Sequence, residues 1–264
     1  MLNASGEASK FPDKFWGIGP DTPSGLEEDY TPVEFTLETS LLWELHRNLY
    51  LGPQYRFSYF ETIETEEGGL LDKGIIPGSD GTIASGIGLQ MTLDRRDNVF
   101  YPRKGYMIDL NALSYFKLIG SEENFFQVAF DYRHFFPLFE RHVFGIQYIL
   151  QMSTGTVPFQ KLPELGGDSM MRGYYQGRYR DMNYTAFQGE YRFPLFWRFG
   201  GVVFGSFGKV APDMNNLLST ENIRFAAGSG IRFRIAKEQH VNLRIDFAYS
   251  SEGFSAYFQL LEAF

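Results

Sequence analysis

The side chains most able to do chemistry in this 264-residue sequence fall into three groups. Asp94, Asp97 and Asn98 lie close together and offer the hard oxygen donors that a divalent cation takes. The same residue types also close turns with Asx hydrogen bonds, which is the favoured reading here. Asp168, Arg178, Arg180 and Asp181 sit in the glycine-rich stretch Leu162 to Asp181, and they suit bracing of a long segment better than catalysis. Arg56, Asp131, Arg133, Arg192, Arg232, Arg234, Arg244 and Asp246 could line a substrate path, but a hydrated interior needs such residues merely to be filled and solvated. No catalytic constellation accompanies them, because the sequence holds no GxSxG elbow, no phosphate-binding glycine loop and no HExxH helix. The four histidines, His46, His134, His142 and His240, are scattered without metal-ligand spacing, and the absence of cysteine removes disulfides, thiolate zinc sites and cysteine nucleophiles. The expectation is a protein without catalytic residues, metal or cofactor.

What must position these groups is a set of strands. Phe126, Val128, Phe130, Tyr132, His134 and Phe136 share one parity, while Gln127, Ala129, Asp131 and Arg133 share the other. That is a period of two. The same alternation runs through 185–193, 224–235 and 241–249, and through 31–45, 49–61, 82–94, 105–117, 142–153 and 254–264. A glycine-rich stretch at 198–210 and a short first strand near 10–18 bring the expectation to about twelve strands. The polar parity is rich in Arg, Asp, Glu, Gln and Gly, types suited to a closed, hydrated, charge-paired lumen. On the other parity, Phe126, Phe136, Tyr184, Phe193, Tyr249, Phe254 and Phe264 fall near strand ends, where the aromatic girdles of a membrane barrel lie.

Composition agrees. Lys+Arg number 24 against Asp+Glu 32, a net charge of -8, which gives no footprint for nucleic acid. No apolar run is long enough for a transmembrane helix, whereas a mean hydropathy of -0.24 with 17% aromatics suits a barrel whose strands alternate lipid-facing and lumen-facing residues. Connections alternate in length. Short ones fall at 46–48, 137–141, 195–199 and 236–240, with a longer one at 95–104; between them lie 19–31, 62–81, 118–122, 154–183 and 211–221. This sorting predicts an even-stranded antiparallel up-and-down barrel with both ends on the periplasmic side. Met1 to Lys10 carries no export signal, so the sequence is expected to begin inside a longer gene product.

Four segments, in order, resemble one family. Gly166 and Gly167 followed by Arg172, Gly173 and Tyr174 are similar to the large inward-folded loop of the BamA and TamA superfamily of outer-membrane insertases and two-partner secretion transporters, the bacterial surface antigen family. Asp94, Arg96, Asp97 and Asn98, continuing to Pro102 and Gly105, are similar to its DxRDN…PxKG turn. Gln188 to Leu195 is similar to the strand that follows the loop, and Phe258 with the final Phe264 is similar to the C-terminal signal by which such barrels are inserted.

The resemblance covers residues from about 15 to 264. It implies that residues 1–264 form the C-terminal part of a barrel that the family builds from sixteen strands after periplasmic POTRA repeats. It also implies that Arg172 enters the lumen and pairs with acidic groups on the inner wall. Glu190 is the best partner, with Arg192 beside it. The family's second acid, in FxDxG, is replaced by Ser206 in Phe204-Gly205-Ser206-Phe207-Gly208, which should weaken the hold on the loop unless Asp246 or Asp131 takes its place. The implied function is outer-membrane protein assembly or protein translocation, with outer-membrane lipid, unfolded outer-membrane or secreted clients and accessory assembly proteins as partners. The alternatives are a barrel that anchors or exports an upstream passenger or lipase domain, and a passive pore.

Overall fold

The computed structural model describes residues 1–236 and 241–264. One antiparallel sheet of fourteen strands contains a continuous path of twelve, with two short strands paired at its margin. The path runs β1 (Leu2–Lys10), β2 (Glu28–Leu41), β3 (Leu49–Thr65), β4 (Gly81–Asp94), β5 (Gly105–Tyr115), β6 (Phe125–Pro137), β7 (Val143–Gly155), β8 (Asn183–Pro194), β9 (Phe199–Ala211), β10 (Arg224–Ala236), β11 (Val241–Ser250) and β12 (Gly253–Leu260). Each strand pairs with its neighbour in sequence, as an up-and-down meander requires. No helix among the described residues is long and apolar enough to cross a membrane.

The alternation seen in the sequence becomes two faces. In β8, Ala186, Gln188, Glu190 and Arg192 are buried, while Thr185, Phe187 and Tyr191 on the opposite face are half-exposed. In β11, Asn242, Arg244, Asp246 and Ala248 are buried, while Phe247 and Tyr249 are exposed. The polar parity therefore faces inward and the aromatic parity faces out, the arrangement of a barrel in lipid.

The sheet curls around the connection between β7 and β8. From residues 156 to 182 this loop folds inside and touches walls far apart in strand order. Lys161 Nζ donates to Ser58 Oγ of β3 at 2.7 Å, Gln127 Nε2 of β6 donates to the Lys161 carbonyl at 2.7 Å, and the Gly173 amide donates to the Tyr257 hydroxyl of β12 at 2.8 Å. A flat sheet could not bring β3 and β12 to one loop. Among the described residues no ladder joins β1 to β12, so the wall has a seam between its first and last strands.

Three expectations need correction. The first wall strand is Leu2–Lys10, paired with β2 from Leu2 opposite Leu41 to Lys10 opposite Val33; the region near 10–18 supplies only a three-residue strand, Asp13–Phe15. Pairing needs backbone groups rather than apolar side chains, so a run of small polar residues formed a strand without showing a period. Tyr184 lies on the inner parity, buried in the core of the loop with Leu165, Met171 and Tyr174. The last strand stops at Leu260; Leu261 adopts a φ of 69° and turns the chain inward. The short connection expected at 236–240, with His240, lies from residue 237 onward outside the described residues.

Candidate functional site: a buried ion cluster holding the inward loop

Register places the cluster. Glu190 and Arg192 follow each other on the inner face of β8, opposite Phe204 and Val202 of β9. Those two sit opposite Gly228 and Gly230 of β10, and Gly230 sits opposite Asp246 of β11. Two glycines in a strand interior normally weaken it; here they make room. A Cβ on Gly228 would lie 2.4 Å from the Phe204 ring, and one on Gly230 would lie 2.0 Å from Asp246 Oδ1.

Into this recess the loop delivers Arg172, which is 1% exposed. Its Nη2 donates to Glu190 Oε2 at 2.8 Å and its Nη1 to Asp246 Oδ2 at 2.7 Å, while its guanidinium lies 3.4 Å from the centroid of the Phe204 ring. The arginine therefore bridges two carboxylates on different strands instead of gripping one bidentately. Charge-assisted bonds of this kind are about twice as strong as neutral ones, and stacking on an aromatic face adds to them. Asp246 thus stands in for the acid missing at Ser206, whose buried hydroxyl has no partner. Asp131 is used elsewhere, paired with Arg133 at 2.7 Å.

Further arginines complete the cluster. Arg192 Nε donates to Glu190 Oε1 at 2.7 Å, Arg232 pairs with Asp246 and, at 2.7 Å, with Glu262, and Arg244 lies 3.7 Å from Asp246 and 3.6 Å from half-exposed Asp168. Four guanidiniums thus face three buried carboxylates and half-exposed Asp168, so each buried charge has an opposite charge beside it, as a low-dielectric interior requires. Burial pushes the Glu262 carboxyl up, but Arg232 and Arg192 outweigh this and hold it below the usual range.

The segments carrying the family resemblance converge here. Arg192 also donates to the Pro102 carbonyl of the turn at 3.4 Å and to the Phe264 carbonyl at 3.0 Å. Gly166, Gly167 and Gly173 have φ of 114°, 121° and 114°, conformations that other residues rarely adopt. They let the loop reverse so that the Gly167 amide reaches the Tyr174 carbonyl at 3.1 Å and Ser250 Oγ donates to the Gly173 carbonyl at 2.7 Å. Tyr174 is buried, with its hydroxyl 3.1 Å from the Phe225 carbonyl.

Asp94, Arg96, Asp97 and Asn98 do not reach the cluster. Asp94 pairs with Arg96 at 2.7 Å, Asp97 Oδ1 accepts the Arg103 and Lys104 amides, Asn98 Oδ1 accepts those of Phe100 and Tyr101, and Gly105 takes a φ of 96° where β5 begins. These are turn-closing contacts. Phe258 and Phe264 part company: Phe258 faces outward at 68% exposure, whereas Phe264 folds inside at 4%, its ring 5.8 Å from that of Phe135.

Arg178 and Arg180 brace the loop through Glu252 at 3.1 Å and Glu164 at 3.1 Å. Beside them lies a polar cavity of about 480 Å3 bordered by Glu34, Arg56, Gln127 and Lys161. Burial pushes the Lys161 ammonium down to about 8, Arg56 adds to the shift, and Glu34, Glu38 and Glu164 oppose it. Arg232, Arg244 and Glu262 escaped sequence reasoning as site residues. The first two carry the inward parity that marked them as lumen charges, but Glu262 lies beyond the turn at Leu261, where strand periodicity says nothing.

Comparison with known proteins gives a consistent picture. A family model described as the Omp85 superfamily domain matches residues 27–254. No curated protein matches the chain. Among solved structures, that of BamA from Haemophilus ducreyi lacking POTRA domains 1-3 superposes with a TM-score of 0.66 at 14% sequence identity, over 98% of this chain and 58% of that one. The present chain therefore spans little more than half the length of that relative.

Removing one partner of a buried ion pair costs about 3–5 kcal/mol. Asp246→Ala is expected to lower the temperature at which the detergent-solubilised barrel loses its folded gel mobility. Adding Ser206→Asp should recover part of that loss by returning a carboxylate to β9. An unchanged transition temperature in Asp246→Ala would refute the role assigned to Asp246.

Proposed function

The chain belongs to the Omp85 superfamily, and on that premise we propose that its barrel inserts or translocates polypeptides at a Gram-negative outer membrane. The observation that carries this reading is the seam. Among the described residues β1 and β12 each pair on one side only, and between them lies a cleft of about 790 Å3 bordered by Ser9, Tyr175, Ser255 and Tyr257. An unpaired strand edge presents a row of free N–H and C=O groups, and within hydrocarbon each unsatisfied group costs several kcal/mol. Such an edge captures an extended segment by adding it as a further strand. The locked loop serves this chemistry by fixing one side of the seam, because Gly173 bonds Tyr257 on β12 and Arg172 bonds Asp246 on the adjacent β11.

A passive pore fits less well, since the loop and its ion cluster occupy the lumen. An anchor for another domain would leave the seam without a role. Outer-membrane and secreted proteins in an unfolded state are the clients this geometry suits, and accessory assembly proteins are the partners the family reading adds.

The test uses the full chain in liposomes, presented with a urea-unfolded eight-stranded outer-membrane barrel. Folding of that client should accelerate severalfold over empty liposomes, and a photo-crosslinking residue at Ala4 on β1 should trap it while one at Thr36 on β2 does not. No acceleration, together with a large steady conductance, would favour the pore instead.

A further inference from the structure

The short-turn end of the barrel holds a cluster of arginines that the ion network does not use. Arg103, Arg141, Arg198 and Arg234 surround a pocket of about 80 Å3, together with Tyr101 and Trp197. Among the described residues no acidic side chain borders it. Its floor is formed by Arg192 and Arg232, whose carboxylate partners lie in the cluster described above. Among the described residues none of the four surrounding arginines forms an ion pair, and the Nε groups of Arg198 and Arg234 are buried without an acceptor. Buried donors left unsatisfied cost free energy, and like charges gathered in one pocket repel each other. Both costs are relieved by an oxyanion.

The geometry is prepared for one. Arg198 lies 5.3 Å from the Trp197 ring and Arg234 lies 5.7 Å from the Tyr101 ring. Stacking holds a guanidinium plane while leaving its N–H edge free. A volume of about 80 Å3, against the ~30 Å3 that one water occupies in the liquid, admits a single phosphate-sized group.

The pocket's surroundings identify the source of that group. Two of its arginines end matching turns, Pro137-Leu138-Phe139-Glu140-Arg141 and Pro194-Leu195-Phe196-Trp197-Arg198. Both turns expose apolar tips: Phe139 is 72% exposed, Phe196 69% and Trp197 71%. Exposed aromatics at a barrel rim mark the depth of the lipid headgroups, and the short-turn end of an outer-membrane barrel faces the periplasm. An apolar tip followed by a returning arginine meets both parts of a phospholipid, acyl chain and phosphate. From this geometry we infer that the pocket binds the phosphate of a phospholipid headgroup in the periplasmic leaflet. The inference is independent of the insertase reading, since it requires only that the barrel lie in a membrane.

The full chain in detergent, titrated with dihexanoylphosphatidylglycerol and followed by 31P line broadening, tests this. Saturable binding is expected, reduced at least tenfold by Arg198→Gln combined with Arg234→Gln, with folding verified by gel mobility. Should that double variant fail to fold, Arg141→Gln, on an exposed turn, is expected to weaken binding severalfold. Inorganic phosphate should bind more weakly than the lipid. Equal affinity for inorganic phosphate would overturn the lipid assignment, as would binding of a polyglutamate peptide in place of the lipid. Lipid binding unchanged in the folded variants would overturn the site itself.

Discussion

A guanidinium taken out of water must find carboxylates, and the interior of this barrel is arranged around that requirement. Arg172 is almost wholly buried between Glu190 and Asp246. Without both acids, the desolvation of the charge would be uncompensated by several kcal/mol. With them, a loop running from 156 to 182, which would otherwise sample many conformations, is tied through one side chain to both β8 and β11. Glycines at 228 and 230 give the ring and carboxylate their space, so the requirement reaches into the composition of a strand that contributes no charge to Arg172 directly.

The lock has a mechanical consequence. The residue after Arg172 bonds the last wall strand, and the tyrosine after that bonds the region where β10 and β11 approach the long-loop end. The loop therefore sets the position of one side of the seam, while β1, a strand mostly of small and polar residues, forms the other, with no comparable tether inside among the described residues. Among the described residues its one ladder is to β2. The two edges of the wall thus differ in what holds them: β12 is bonded by the loop, whereas β1 is bonded through its ladder to β2. The superposition on a BamA barrel of 14% identity speaks for the shared fold; the division of labour across the seam follows from the contacts of this chain.

Much of this was legible in sequence, for identifiable reasons. A strand with one face in lipid and one in water must alternate, so β6, β8, β10 and β11 announced themselves, and with them the inward direction of Glu190, Arg192 and Asp246. The replacement of the family's aspartate by Ser206 left Asp246 and Asp131 as candidate substitutes, and the register through Gly230 explains why Asp246 is the one that reaches. What stayed hidden lacks a period. β1 carries no apolar parity, Glu262 and Phe264 lie past a turn made by a left-handed leucine, and Tyr184 is an aromatic on the polar parity because the loop, not lipid, covers it. Arg232 and Arg244 were visible as charges, but only the fold shows that they balance a cluster instead of lining water.

One arginine bridging two strands holds the inward loop. Hydrogen exchange of residues 156–182 in the detergent-solubilised barrel, with Arg172→Lys compared to the unaltered chain, tests it most directly. Lysine keeps the charge but lacks the planar fork that spans Glu190 and Asp246. Exchange throughout the loop should rise at least tenfold while the strands β5 to β7 stay protected. Loop protection equal to that of the unaltered chain would contradict it.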